Sequence, residues 1–142
     1  MPFVGEKEFP ANLDSLKELR DYVSAAAQRT AADKKKIYKL QLAVDEIATN
    51  IISYGYADSS GSIFIDAEVK EHSLTIQLRD QAVPFDPRPK LQIEKETVDK
   101  PAEERRIGGL GIYLAITGVD NFDYEYRDRF NVNRFEIAFP AE

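Results

Sequence analysis

The chain has 142 residues, 43% of them hydrophobic and 31% charged, which suits one domain with an ordinary apolar core and leaves no room for a second complete one. Its 25 acidic and 19 basic residues give a net charge of −6, which excludes a general nucleic-acid grip through a basic face but not a small basic pocket for a nucleotide. With no cysteine there are no disulfides, thiolate metal sites or cysteine nucleophiles, and a single histidine is poor material for a triad or a multi-histidine metal site.

In chain order, Phe3–Phe9 reads as a short edge strand ended by Pro10. Asn12 or Asp14 then caps a helix carrying Leu16, Leu19, Val23 and Ala26 at helical spacing, with a blurred boundary near Thr30. A second helix is predicted from a cap at Asp33 to about Tyr54, where Gly55 stops it; Ile37, Leu40, Val44, Ile47 and Ile51 form its core stripe. Asp58–Gly61 is a turn cluster. Ile63, Ile65, Ala67 and Val69 alternate on one strand, and Leu74, Ile76 and Leu78 on the next; the short Lys70–Ser73 link, with His72 as a solvated turn residue, makes them an antiparallel hairpin. Pro84–Ile107 is rich in proline and charge and reads as one long irregular stretch, a lid or a disordered loop. Gly108–Gly111 opens a helix with Ile112, Leu114, Ala115 and Ile116 that ends at Gly118, and Phe122, Tyr124 and Tyr126 alternate against Phe135, Ile137 and Phe139 in a closing hairpin. The order β-α-α-β-β-lid-α-β-β predicts an α+β two-layer sandwich over residues 1–142, with helices on one face of a mostly antiparallel, mixed sheet. No apolar run reaches the roughly 18 residues of a membrane span, and Met1–Pro10 has no signal-peptide core, so a cytoplasmic protein without membrane contact is expected.

Chemistry gathers at a few points. At about 100° per residue, Glu46 and Asn50 lie four apart on one flank of the second helix, at the margin of its buried stripe, while Asp45 points away from them. An amide oxygen beside a carboxylate suits a phosphate-bound Mg²⁺, which takes hard oxygens and keeps several waters, with the carboxylate free to take a proton from a hydroxyl. Taken alone, E-x-x-x-N also suits a solvated helix flank. Asp80 ends a strand just before Gln81-Ala82-Val83-Pro84-Phe85-Asp86-Pro87. Such a carboxylate can accept from the exocyclic amine of a purine while apolar neighbours sandwich the ring, or it can simply cap a turn. Gly108-Gly109-Leu110-Gly111 stands at a helix start behind Arg105 and Arg106, an arrangement that suits either phosphate binding or a hinge. It lacks the lysine-plus-hydroxyl ending of a P-loop.

Together and in this order, these segments resemble the GHKL ATPase/kinase superfamily, and within it the bacterial anti-sigma-factor serine/threonine kinases. Leu42-Ala43-Val44-Asp45-Glu46-Ile47-Ala48-Thr49-Asn50 followed by Ser53-Tyr54-Gly55-Tyr56 is similar to the family's N box, Asp80–Pro87 to its adenine-contacting box, and Gly108–Tyr113 to its second glycine box. Asn133-Arg134-Phe135 resembles its closing strand. The resemblance implies ATP and Mg²⁺ as cofactors, Glu46 as general base toward a serine or threonine hydroxyl, and Asn50 as Mg²⁺ ligand. It also implies Asp80, with Ala82 and Phe85 of the same box, at the adenine, and Gly108, Gly109, Leu110 and Gly111 around the phosphates, with Arg105 or Arg106 at the terminal one. Its partners would be a sigma factor and a small anti-sigma antagonist, and the kinases of the family form homodimers. Ala82 departs from the glycine usual in the adenine box, adding a methyl where backbone and base approach closely. A non-catalytic, nucleotide-gated binding module is the alternative that the same residues permit.

Overall fold

The computed structural model describes residues 3–56, 60–88, 112 and 116–140. Asp58, Ser59, most of the expected lid, Arg105, Arg106, Gly108, Gly109, Leu110 and Gly111 lie outside the described residues.

The chain begins with strand β1 (Phe3–Pro10) and a 3-10 turn (Leu13–Ser15), in which Asn12 Oδ1 accepts from Ser15 N at 3.2 Å. Helix α1 (Leu16–Ala27) follows directly. It closes on Thr30, whose hydroxyl donates to Ala27 O at 2.7 Å and accepts from Ala32 N at 3.2 Å. Asp33 then caps helix α2 (Lys34–Asn50), accepting from Lys36 N at 2.8 Å.

The stripe predicts one continuous helix to Tyr54, but α geometry ends at Asn50 and a π turn occupies Ile51–Gly55. Ile51 and Ile52 are both buried within that wider turn.

Strands β2 (Ser62–Val69), β3 (Ser73–Asp80), β4 (Asn121–Arg127) and β5 (Phe130–Ala138) complete a five-stranded sheet in the order β1-β2-β3-β5-β4. Every described pairing is antiparallel, so no parallel pair accompanies the others. The reason is topological. β4 and β5 form a hairpin across Asp128 and Arg129, both at positive φ (54° and 69°), and it docks on β3 through its second strand.

Register fixes which side chains meet. Ile65 faces Leu78, and Ile76 faces both Ala67 and Phe135, so one row from each of β2, β3 and β5 points the same way. That face and the stripes of α1 (Leu19, Val23, Ala26) and α2 (Leu40, Val44, Ile47) form a single core, which makes the two layers. On the other face Arg79 stacks over Phe64 and Phe130, 5.2 Å and 4.7 Å from their ring centroids, and pairs with Glu6 at 2.6 Å. His72 is exposed in the β2–β3 link. Ile112 and Ile116–Gly118 have helical backbone, with Ile112 buried in the core. Among the described residues no helix is long and apolar enough to cross a membrane.

Candidate active site

The sheet's inward face is apolar for most of its length and turns polar at the end where β3 stops. Asp80 is fully buried there, directly across from Asn131 of β5. Asp80 Oδ1 accepts from Ala82 N at 3.0 Å and from Asn131 Nδ2 at 2.9 Å, while Oδ2 is buried with no partner. Burial pushes the Asp80 carboxyl above its ordinary range, opposed by those two donors. Asn131 does more than meet Asp80. Its Nδ2 also donates to the carbonyls of Ala82 and Val83, each at 3.2 Å, and its Oδ1 accepts from Phe85 N at 3.0 Å and from the Tyr124 hydroxyl. Two residues on, Asn133 is 3% exposed and its Oδ1 has no partner.

Helix α2 brings the second group. Asp45 is taken up by α1, with Arg20 Nε and Nη2 donating to its two oxygens at 2.9 Å and 3.3 Å, as expected of a residue that points away from the flank. Glu46 is half-buried, and its carboxyl is raised first by burial and then by the Asp45 charge. Asn50 is the last residue of the α-helix, half-buried, with Nδ2 buried and unpartnered. Buried polar atoms without partners are rare in native proteins. Among the described residues the side-chain orphans are Asn50 Nδ2, Asp80 Oδ2 and Asn133 Oδ1, all on residues that the sequence places in the nucleotide boxes or the closing strand. A purine nucleotide with bound Mg²⁺ has the donors and acceptors that such atoms lack, so the residues present fit the group.

Two contacts tie the helix end to the strand end. A Cβ built on Gly55 would stand 2.9 Å from Ala82 Cβ, so the absence of a side chain at 55 makes room for the methyl at 82. The added methyl of the adenine box is thereby turned toward the helix end and buried. Tyr56, next in sequence, donates its hydroxyl to Ser62 O at 2.9 Å and accepts from Gln81 N at 2.8 Å. Gly55 and Tyr56, just past the end of α2, thus pack against Ala82 and Gln81, just past the end of β3. Phe85 is 41% exposed and is held by its backbone N–H. A cavity of about 410 Å³ lined by Glu8, Tyr56, Gly61, Phe64 and Gln81 adjoins this contact through Ala82 but includes neither Glu46, Asn50 nor Asp80. Asn131 and Tyr124 go unrecognised in the sequence reading of the site. The signal for Asn131 is its phase: it lies four and six residues before Phe135 and Ile137, on the same inward row.

Helices over one face of this antiparallel sheet, with a buried carboxylate closing a central strand, make the architecture that of a GHKL-type ATPase domain. The sequence agrees. Residues 9–136 match the histidine kinase-like ATPase domain family, and the chain belongs to it. It is 27% identical over 128 residues to the serine-protein kinase RsbW of Bacillus cereus (strain AH187), covering 89% of this chain and 80% of that protein. The same figures hold for the serine-protein kinase RsbW of Bacillus thuringiensis (strain Al Hakam). A crystal structure of the RsbU and RsbW domains of a Mycobacterium tuberculosis protein superposes with a TM-score of 0.63 at 14% identity. It covers 98% of this chain and 34% of that one, a likeness of fold.

Proposed function

We propose that the chain is an ATP-dependent serine/threonine protein kinase that also acts as an anti-sigma factor, phosphorylating a small anti-sigma antagonist and sequestering a sigma factor, as a homodimer. One observation carries the reading: Asp80 is a fully buried carboxylate whose one unpartnered oxygen can accept from a purine amine, and the residues just past it pack on Gly55 and Tyr56, just past the helix that carries the acid–amide pair. The family assignment and the distant likeness to the RsbW kinases support it.

Mg-ATP supplies the phosphoryl group and the cation that offsets its charge. The chain's own residues do the rest. Asp80 Oδ2 accepts from the 6-amino group and fixes the base. Asn50 offers its amide oxygen to the cation. Glu46 takes the proton of a serine or threonine hydroxyl as that oxygen bonds to the γ-phosphorus and the bond to the leaving ADP oxygen breaks. A carboxyl raised by burial is a better base for that step than an ordinary surface glutamate. Gly108, Gly109, Leu110 and Gly111, with Arg105 or Arg106, hold the phosphates in this reading.

Purified chain, Mg-ATP and the small antagonist-like proteins encoded beside it form the test. Transfer of γ-phosphate to one of them, abolished by Glu46→Ala while ATP binding survives, is the expected result. Undiminished transfer in Glu46→Ala removes the base assignment, and no transfer to any of them removes the kinase.

A further inference from the structure

Asn131 uses all its hydrogen-bonding capacity inside the protein. Its amide nitrogen donates to Asp80 Oδ1, Ala82 O and Val83 O, and its amide oxygen accepts from Phe85 N and the Tyr124 hydroxyl. It is 3% exposed and sits across the ladder from Asp80. A polar side chain on the inward row of a central strand is costly unless its groups are satisfied, and here it has nothing left to offer a ligand. Its effect is on others. It pins the backbone of residues 82, 83 and 85, and with Ala82 N it presents two donors to the inner oxygen of Asp80.

We propose that Asn131 is a positioning residue that sets base selectivity: it occupies Asp80 Oδ1 and fastens the 82–85 loop, so that Asp80 Oδ2 is held as an acceptor for the 6-amino group of a purine. The inference rests on the nucleotide reading above and adds to it a direction. The Asn131 and Ala82 donors require an acceptor at the inner position of residue 80, whatever residue stands there. In Asp80→Asn the amide oxygen must therefore turn inward, and the amide NH₂ takes the place of Oδ2. An acceptor becomes a donor, and a base with a 6-oxo group replaces one with a 6-amino group as the better partner.

The experiment measures dissociation constants of Mg-ATP and Mg-ITP by calorimetry for the full-length wild type, Asp80→Asn and Asn131→Ala, with each fold checked by circular dichroism. ITP carries oxygen where ATP carries the 6-amino group. Wild type is expected to favour ATP by about tenfold or more. Asp80→Asn reverses the preference to ITP, and Asn131→Ala brings the ATP-to-ITP ratio toward one by letting the Asp80 carboxylate swing off the line on which Oδ2 meets the 6-amino group. A merely structural role for Asn131 weakens both nucleotides by the same factor and leaves the ratio intact, and that result overturns the proposal. So does a folded Asp80→Asn that still favours ATP or binds neither nucleotide. Should Asn131→Ala fail to fold, the Asp80→Asn comparison decides alone, because it leaves residue 131 unchanged. Wild type that binds neither nucleotide overturns the nucleotide reading and this inference with it; wild type that favours ATP beside an unreversed Asp80→Asn overturns the inference alone.

Discussion

Gly55→Ala is the perturbation that most directly probes how the helix end meets the strand end. The new methyl lies 2.9 Å from Ala82 Cβ, against a carbon–carbon optimum of about 3.5–4.0 Å. The overlap is thus roughly 0.6–1.1 Å. Neither side can rotate away, since both groups are methyls fixed to the backbone. Ala82 is tied through its N–H to Asp80 and its carbonyl to Asn131, and Gly55 closes a π turn beside the anchored Tyr56. Overpacking of this kind costs about 1–3 kcal/mol, which for a chain of this size lowers Tm by roughly 3–9 °C. Ala82→Gly alone loses a buried methyl and gains backbone freedom in the unfolded chain, costing about 1 kcal/mol. In the double variant the clash is gone, so its loss should fall short of the sum of the two single losses by about 1–2 kcal/mol. Urea unfolding of the four proteins without nucleotide measures this. Losses that add within about 0.3–0.5 kcal/mol would refute the reasoning, because they would mean that residues 55 and 82 do not touch.

Two further outcomes concern charge. Burial raises the Asp80 carboxyl, so the folded state holds that proton more tightly than the unfolded chain, and stability falls as pH rises through the raised value. Without nucleotide, Asp80→Asn should accordingly be more stable than wild type at about pH 8, with the gap closing below the ordinary carboxylate value of about 3.9; thermal unfolding at both ends of that range checks it, and equal stability throughout contradicts it. Asp45 adds to the rise of Glu46, so Asp45→Asn, which also leaves the Arg20 cation uncompensated, should move the acidic limb of the phosphoryl-transfer pH profile to lower pH. A limb that stays put or moves upward would count against Glu46 as the base.

Much of this architecture is legible in the sequence, for definite reasons. The stripe Leu40, Val44 and Ile47 of α2 is periodic, and Asp33 is a capping residue that caps. The hairpin strands alternate cleanly, so Ile65, Leu78, Ile76 and Phe135 meet as their phases require. The π turn is hidden because the apolar residues past Asn50 look like more helix, and nothing in Ile51-Ile52-Ser53-Tyr54-Gly55 marks the wider turn. The closeness of Gly55 to Ala82 is hidden as well, since 26 intervening positions separate them in the chain and nothing local signals the contact. Asp80 is visible as a strand-end carboxylate, yet its dependence on Asn131 is not. An asparagine in a strand reads as solvent-facing until the inward phase of Phe135 and Ile137 is carried back along β5.

Recognition of a purine nucleotide at the buried end of β3 underlies the proposed activity. Calorimetric titration of the full chain with Mg-ATP, repeated on Asp80→Ala, tests it most directly. Saturable binding by wild type, weakened by about tenfold or more in the variant through loss of a hydrogen bond to a charged acceptor, is the predicted result. No binding by wild type, or equal affinity in both proteins, would contradict it.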